Sequence, residues 1–228
     1  MWIASLFLVT LILFSIPYLR RKILLKHWYK IHHLHAHHGV FSELYADVNG
    51  FTLSRQARAR QDAIEYTYGE IEFLPFIALL SLVKPHQQTV FYDLGSGTGK
   101  AILACAMVFD VKKSCGIELF DTLHQTAVTQ THRLNLLEEY RHSATKIHCR
   151  HDNFLNTDFS DATLLFIQAT ALFGDTWVRL QQRLETLSSG TLLMTTSKPL
   201  NAASFCLLKK TMVQMSWGAV ITYIQQRI

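Results

Sequence analysis

The chain has 228 residues, 49% of them hydrophobic and 17% charged, which suits one domain with a sizeable core and excludes a disordered tail or a bare peptide. Its four cysteines, Cys105, Cys115, Cys149 and Cys206, form no C-x-x-C pair, so neither a zinc knuckle nor a disulfide framework organises the chain, and reduced thiols are expected. The net charge of +5 is local: residues 1–38 hold Arg20, Arg21, Lys22, Lys26 and Lys30 without one acid, leaving 17 of the 22 basic residues to balance all 17 acidic ones in the rest. A neutral body predicts no direct nucleic-acid binding.

In chain order, residues 2–18 form an uncharged apolar run. As a helix at about 1.5 Å per residue it reaches roughly 25 Å, close to a bilayer core of about 30 Å. Basic residues follow the run and none precedes it, the reverse of a cleavable signal, so the expectation is an uncleaved single-pass transmembrane helix with everything after residue 20 in the cytoplasm. Six histidines crowd into positions 27–38: His27, His32, His33, His35, His37 and His38. With no acid or cysteine nearby to complete a ligand set, no metal site is expected, and the segment reads as a solvated juxtamembrane helix. The predicted organisation is a membrane anchor with its basic, histidine-rich segment over 1–38 and one domain over 39–228.

Within the domain, residues 56–65 read as a polar helix start, 66–72 as a loop and Phe73 to Val83 as an apolar helix ended by Pro85. From Thr89 the pattern alternates between strand and helix: strand 89–94, a Gly-rich turn, helix 100–109, strand 113–119 and a helix from Asp121. A strand over 144–149, one over 162–170 ending near Gln168, a helix over 175–187 and a strand over 190–197 follow. Two last apolar runs, 204–215 and 217–226, have no long helix between them and suit an antiparallel pair. The whole predicts an α/β, Rossmann-like, doubly wound and mostly parallel sheet of seven strands.

The chemistry concentrates in Asp93-Leu94-Gly95-Ser96-Gly97-Thr98-Gly99, between a strand and a helix. Alternate glycines mark a loop that a ligand approaches closely. A dinucleotide fold places its third glycine where this chain has Lys100, and the acid at Asp93 would repel a diphosphate while suiting the cationic amino-acid end of S-adenosylmethionine (SAM). Glu118, at the end of the second strand, is placed to accept from both ribose hydroxyls. Asn153 and Phe154, after the third strand, suit the adenine. The turn thus contributes Asp93, Gly95, Ser96, Gly97, Gly99 and Lys100 to a cofactor set completed by Glu118, Asn153 and Phe154. Gln168 ends the fourth strand, where class I methyltransferases usually place groups that face the transferred methyl.

Several blocks in this order resemble the DOT-type (disruptor of telomeric silencing) histone lysine methyltransferases, within the class I SAM-dependent methyltransferases. They are Tyr68-Gly69-Glu70, Asp93 to Gly97 with Gly99, Gly116-Ile117-Glu118, Asn153-Phe154-Leu155 and Ser197-Lys198-Pro199 with Leu200-Asn201. The resemblance implies that Tyr68 and Glu70 fold over the methionine end of the cofactor. It also implies a narrow channel for a substrate lysine, walled by Trp217 and Tyr223, with Thr222 beside Tyr223. The expected function is methyl transfer from SAM to a protein lysine, histone-like or in a membrane protein, with Gln168, Tyr223 and Tyr68 at the reacting end. The alternatives are a small-molecule or lipid acceptor, and a SAM-binding membrane adaptor that transfers nothing.

Overall fold

The structure is a computed structural model that describes residues 19–59, 63 and 66–228. Among the described residues no helix is long and apolar enough to cross a membrane; the expected span, 2–18, lies outside them. The first helix, α1, is described over residues 19–31. It is followed by α2 (Leu34–Leu44), α3 (Gly50–Arg58) and α4 (Phe73–Val83). Then come β1 (Val90–Leu94), α5 (Lys100–Val108), β2 (Lys113–Glu118), α6 (Asp121–Leu136), α7 (Arg141–Ala144) and β3 (Ile147–His151). The chain closes with β4 (Leu164–Ile167), α8 (Gly174–Leu184), β5 (Leu192–Thr196), β6 (Phe205–Met215) and β7 (Gly218–Arg227).

The seven strands form one sheet in the order β3-β2-β1-β4-β5-β7-β6, parallel from β1 to β5, with β7 antiparallel between β5 and β6. This is the expected class I methyltransferase sheet. The order reverses beside β1, where β2 lies on one side and β4 on the other, and the crevice outside the carboxyl ends at such a switch point is where doubly wound sheets bind ligands. β1 and β4 are buried along their whole length, the continuous apolar run of a strand covered on both faces.

Alternate residues feed two cores. Phe91, Phe166, Met194 and Ile224 pack with α2, α4 and α5 on one face, and Tyr92, Leu165, Ile167 and Leu193 pack with α8 on the other. Phe76 and Ile102 are among the fully buried side chains of the first core. α4 stops because Lys84 turns left-handed at φ 51° ahead of Pro85, whose ring disfavours a helical predecessor.

The boundary expected after residue 38 falls inside α2, and the histidine-rich stretch is less solvated than expected. Leu34 and Phe41 of α2 are buried in the first core. The His37 ring lies 2.8 Å from the Tyr140 hydroxyl, the Trp28 indole donates to Ser81 Oγ at 3.0 Å, and the His32 ring packs against Phe109 at 5.3 Å. The apolar periodicity of Leu34, Phe41 and Leu44 is what seats the segment. Among the described residues no group of three or more His, Cys, Asp or Glu side chains converges to hold a metal.

Candidate functional site

A cleft opens at the carboxyl ends of β1, β2 and β4 and spans about 1140 Å3 with its open mouth included. Its floor is the glycine turn between β1 and α5. The turn folds back over β2: the N–H groups of Gly95 and Ser96 both donate to the Ile117 carbonyl, at 2.9 and 3.1 Å. Gly116 makes that crossing possible, because a Cβ there would lie 2.5 Å from Ser96 Oγ. Gly97 holds φ 54° and faces the Tyr68 ring, which an added Cβ would approach to 2.9 Å, so both conformation and space restrict the position to glycine.

Two carboxylates are buried beside this turn. Glu118 is 6% exposed; one of its oxygens accepts the Gly97 N–H and the other the Phe120 N–H, each at 2.8 Å. Each carboxylate oxygen has a second lone-pair site, which leaves the pair able to accept from a diol as well. Asp93 is 5% exposed and no cation pairs with it among the described residues. Burial, and next the Glu118 charge, push its carboxyl up to about 8; burial likewise raises Glu118, against its backbone hydrogen bonds. Two buried acids with no ion-pair partner among the described residues form a receptor for a cation, since an incoming positive charge stabilises both ionised forms.

A loop between α3 and α4 closes one wall. The Tyr68 hydroxyl donates to Glu70 Oε1 at 2.6 Å and lies 3.3 Å from Thr98 Oγ1, while Glu70 Oε2 meets Lys100 Nζ at 2.5 Å. Burial and the Glu70 charge raise the Tyr68 phenol, which stays protonated. The same loop is fastened to the turn between β6 and β7. Ser216 N–H donates to the Glu70 carbonyl at 2.9 Å, and Glu70 N–H donates to Ser216 Oγ at 3.1 Å. Gly69 lies so close under Trp217 that an added Cβ would fall 1.8 Å from the indole ring.

On the far wall, Asn153 Oδ1 accepts the Leu155 N–H at 2.8 Å and so shapes the turn after β3, with half-buried Phe154 lining the cleft. At the end of β4 the cleft is lined by Phe166, Gln168, Leu172 and Thr176.

The cleft therefore brings together Tyr68, Glu70, Asp93, Gly95, Ser96, Gly97, Lys100, Glu118, Asn153, Phe154 and Gln168. Gly99 caps α5 from below it, with φ 83°. Tyr223 is not among the lining residues. Ile224 packs in the first core, and strand alternation turns Tyr223 to the opposite face, where Lys210 Nζ lies 5.7 Å from its ring. Thr222, two positions from Ile224, shares the cleft-side face and is fully buried with its hydroxyl unpartnered. Ser54, Tyr66, Phe120, Leu172 and Thr176 line the cleft without having been singled out in the sequence. Of these, Phe120 carried a signal: it lies two residues past Glu118, where the chain leaves β2.

A family model described as "Histone methylation protein DOT1" matches residues 53–217. The chain belongs to this family. A protein-lysine N-methyltransferase of Saccharolobus islandicus (strain REY15A) is 32% identical over 87 residues, 38% of this chain and 50% of the relative. The chain thus spans about half the length of the curated relative it matches. Among solved structures, an RNA methyltransferase of Salinibacter ruber in complex with S-adenosyl-L-homocysteine superposes with a TM-score of 0.53 at 20% identity, over 67% of this chain and 89% of that one. A tRNA methyltransferase of B. subtilis gives 0.53 at 12% identity, over 68% and 65%. At such identities the likeness shows the class I methyltransferase fold.

The cofactor of this DOT1-family member is S-adenosyl-L-methionine. The residues fit it on their own terms: the uncompensated Asp93 carboxyl matches a cationic amino-acid end, and Glu118, with an acceptor site free on each oxygen, matches a vicinal diol.

Proposed function

We propose that this DOT1-family member is an enzyme that transfers the methyl group of SAM to the side-chain amine of a protein lysine. The observation that carries the reading is the chemistry at the end of β4: Phe166, Gln168, Leu172 and Thr176 offer apolar walls, a carboxamide and a hydroxyl, with no titratable group among the four. An acceptor there must bring its own lone pair. A lysine amine does so once the apolar walls desolvate it and lower its pKa, whereas an aliphatic hydroxyl needs a base to ionise it.

Bound in the cleft, the cofactor supplies a methyl group already activated by its sulfonium, so alignment is the main demand on the protein. Asp93 receives the ammonium end, Glu118 accepts from the ribose, and Tyr68 with Glu70 and Lys100 closes the wall beside them. The Gln168 carboxamide accepts an amine N–H and aims the lone pair, and solvent water takes the proton the amine releases. The family's description names histone methylation and the relative's name names protein lysine, and the balanced charge after residue 38 agrees with a protein rather than a polyanion.

The proposal includes a cytoplasmic-face membrane tether through residues 2–18 and the basic residues that follow them, which favours an acceptor in or near a membrane protein over nucleosomal histone. The test offers tritiated SAM and the purified full chain to core histones, nucleosomes, total tRNA and a solubilised membrane fraction, with Glu118→Ala as control. Label on lysine, absent in the control, supports the reading. Label confined to RNA or lipid replaces the acceptor class. Cofactor binding without any transfer makes the chain a SAM-binding adaptor.

A further inference from the structure

We infer that Lys198 is a positioning residue for methyl transfer: from the turn after β5 it holds the loop after β4 that presents Gln168 and Leu172 to the acceptor. The inference rests on the methyltransferase reading of the cleft and goes beyond it, since Lys198 lines no part of that cleft.

Strand β4 ends at Ile167, and its chain crosses the acceptor end through Gln168, a single 3-10 turn over Ala169–Ala171, then Leu172 and Phe173 before α8. Ala169 and Leu172 seat the loop in the second core, but it has few hydrogen bonds of its own. Leu172 N–H donates to the Ala169 carbonyl at 3.2 Å, and Phe173 is 53% exposed. The fastening comes from the neighbouring turn. Lys198 Nζ donates to the Leu172 carbonyl and lies 4.1 Å from the centre of the Phe173 ring and 4.9 Å from that of Trp177. Beside it, Thr170 Oγ1 pairs with Ser197 Oγ at 2.7 Å and lies 3.3 Å from Thr196 Oγ1.

The turn that delivers Lys198 is itself unusual. Ser197 adopts φ 67°, a left-handed conformation that a non-glycine residue takes only when its surroundings impose it. They do so here: Ser197 N–H donates to the Ile221 carbonyl at 2.7 Å, Lys198 N–H to the Thr196 carbonyl at 2.8 Å, and Thr195 Oγ1 to the Lys198 carbonyl at 2.7 Å.

No carboxylate pairs with Lys198 among the described residues, and burial lowers its pKa. Its partners are the Leu172 carbonyl and the Phe173 ring, on the segment that it pins, and the Trp177 ring in the first turn of α8. A cation over aromatic rings is attracted by their quadrupoles while its hydrogen bond fixes a backbone position. Release of this contact loosens the path of the stretch between Gln168 and Gly174 over its buried Ala169 and Leu172, and a misplacement of about 1 Å at a reacting group costs on the order of 10²-fold in rate.

The test uses the full chain with the acceptor found by the labelling experiment. In Lys198→Met the stem still packs on the rings but the cation is gone. Its expected kcat, or kcat/KM for the acceptor, falls by about 10²-fold while the SAM dissociation constant stays within about twofold. Lys198→Arg keeps the charge, the donors and the ring contact and recovers most of the activity. Hydrogen exchange supplies a readout that needs no acceptor: amides of residues 168–174 exchange faster in Lys198→Met and return towards wild type in Lys198→Arg. Unchanged exchange in that segment, or unchanged acceptor kinetics in Lys198→Met, overturns the inference. Loss of SAM binding in parallel with activity does so too, by making Lys198 a part of the general fold. Failure of the wild-type chain to methylate anything sinks the parent reading and leaves the exchange result to judge this one.

Discussion

The two buried acids make cofactor binding proton-linked, and the size of the linkage follows from the structure. Before cofactor binds, Asp93 has its carboxyl pushed up to about 8 by burial and by Glu118, so it is largely protonated at pH 6. Only the ionised form pairs with the cationic end of SAM. Below pH 8 the ionised share falls tenfold per pH unit, so the apparent affinity falls by about tenfold between pH 7 and pH 6. Above about pH 8 the amino group of the cofactor begins to lose its own proton, so the lower pair of values is the informative one. Asp93→Asn removes the titration: its affinity for SAM is uniformly weak and flat between pH 6 and pH 7. Calorimetry in two buffers of different ionisation enthalpy at pH 7 measures both effects, since wild-type binding releases close to one proton per site. Equal wild-type affinity at the two pH values, or the same slope in Asp93→Asn, refutes the reasoning.

The same shift sets the stability of the cofactor-free chain. A carboxyl raised on folding contributes most below its unfolded pKa and loses that contribution as pH rises towards about 8. From pH 6.5 to 7.5 this amounts to at most about 1.4 kcal/mol, or at most roughly 3–6 °C in Tm for a chain of this size; differential scanning calorimetry should show the fall, and saturating SAM should flatten it. Glu118→Gln replaces an acceptor facing an N–H by an amide that can offer a donor there, so SAM binding should weaken by about 1.5–3 kcal/mol, read by calorimetry. Gly69→Ala drives a methyl into Trp217 and lifts the wall that carries Tyr68 and Glu70; the expected loss is in SAM affinity, with far-UV circular dichroism unchanged. Gly116→Ala, by displacing Ser96, should have a similar effect from below the turn, and its failure to weaken binding would argue that the turn is not the cofactor floor.

Much of this molecule is legible in its sequence because local and global preferences agree. The apolar helix over Phe73–Val83 matches its predicted limits since Pro85 closes it, and the glycine turn lies where its spacing puts it, after a strand of five buried residues. Boundaries slipped where a side chain or an extra turn intervened. α3 begins at Gly50 rather than near 56 because Asn49 caps it, its side chain accepting the Thr52 N–H at 3.0 Å. β3 begins at Ile147 because Arg141–Ala144 is spent on a helical turn.

What the sequence could not convey is which distant groups meet. The antiparallel final pair was readable, but not the register in which Thr196 faces Thr222 and Thr195 faces Tyr223, and that register turns Tyr223 away from the cleft. The clasp of Glu70 on Ser216 joins residues 146 positions apart, a separation that no local periodicity encodes. Asp93 looked like a simple ion-pair partner; its burial beside Glu118 makes it a proton-linked one.

The central claim is that the cleft beside Asp93 and Glu118 is the SAM site of a methyltransferase. Titration of the purified full chain with SAM at pH 8, wild type against Glu118→Ala and Gly97→Ala, tests it most directly. The account predicts one site per chain in the wild type, with binding reduced by at least an order of magnitude in both variants while each stays folded. Equal binding in all three proteins, or none in a folded wild type, would contradict it.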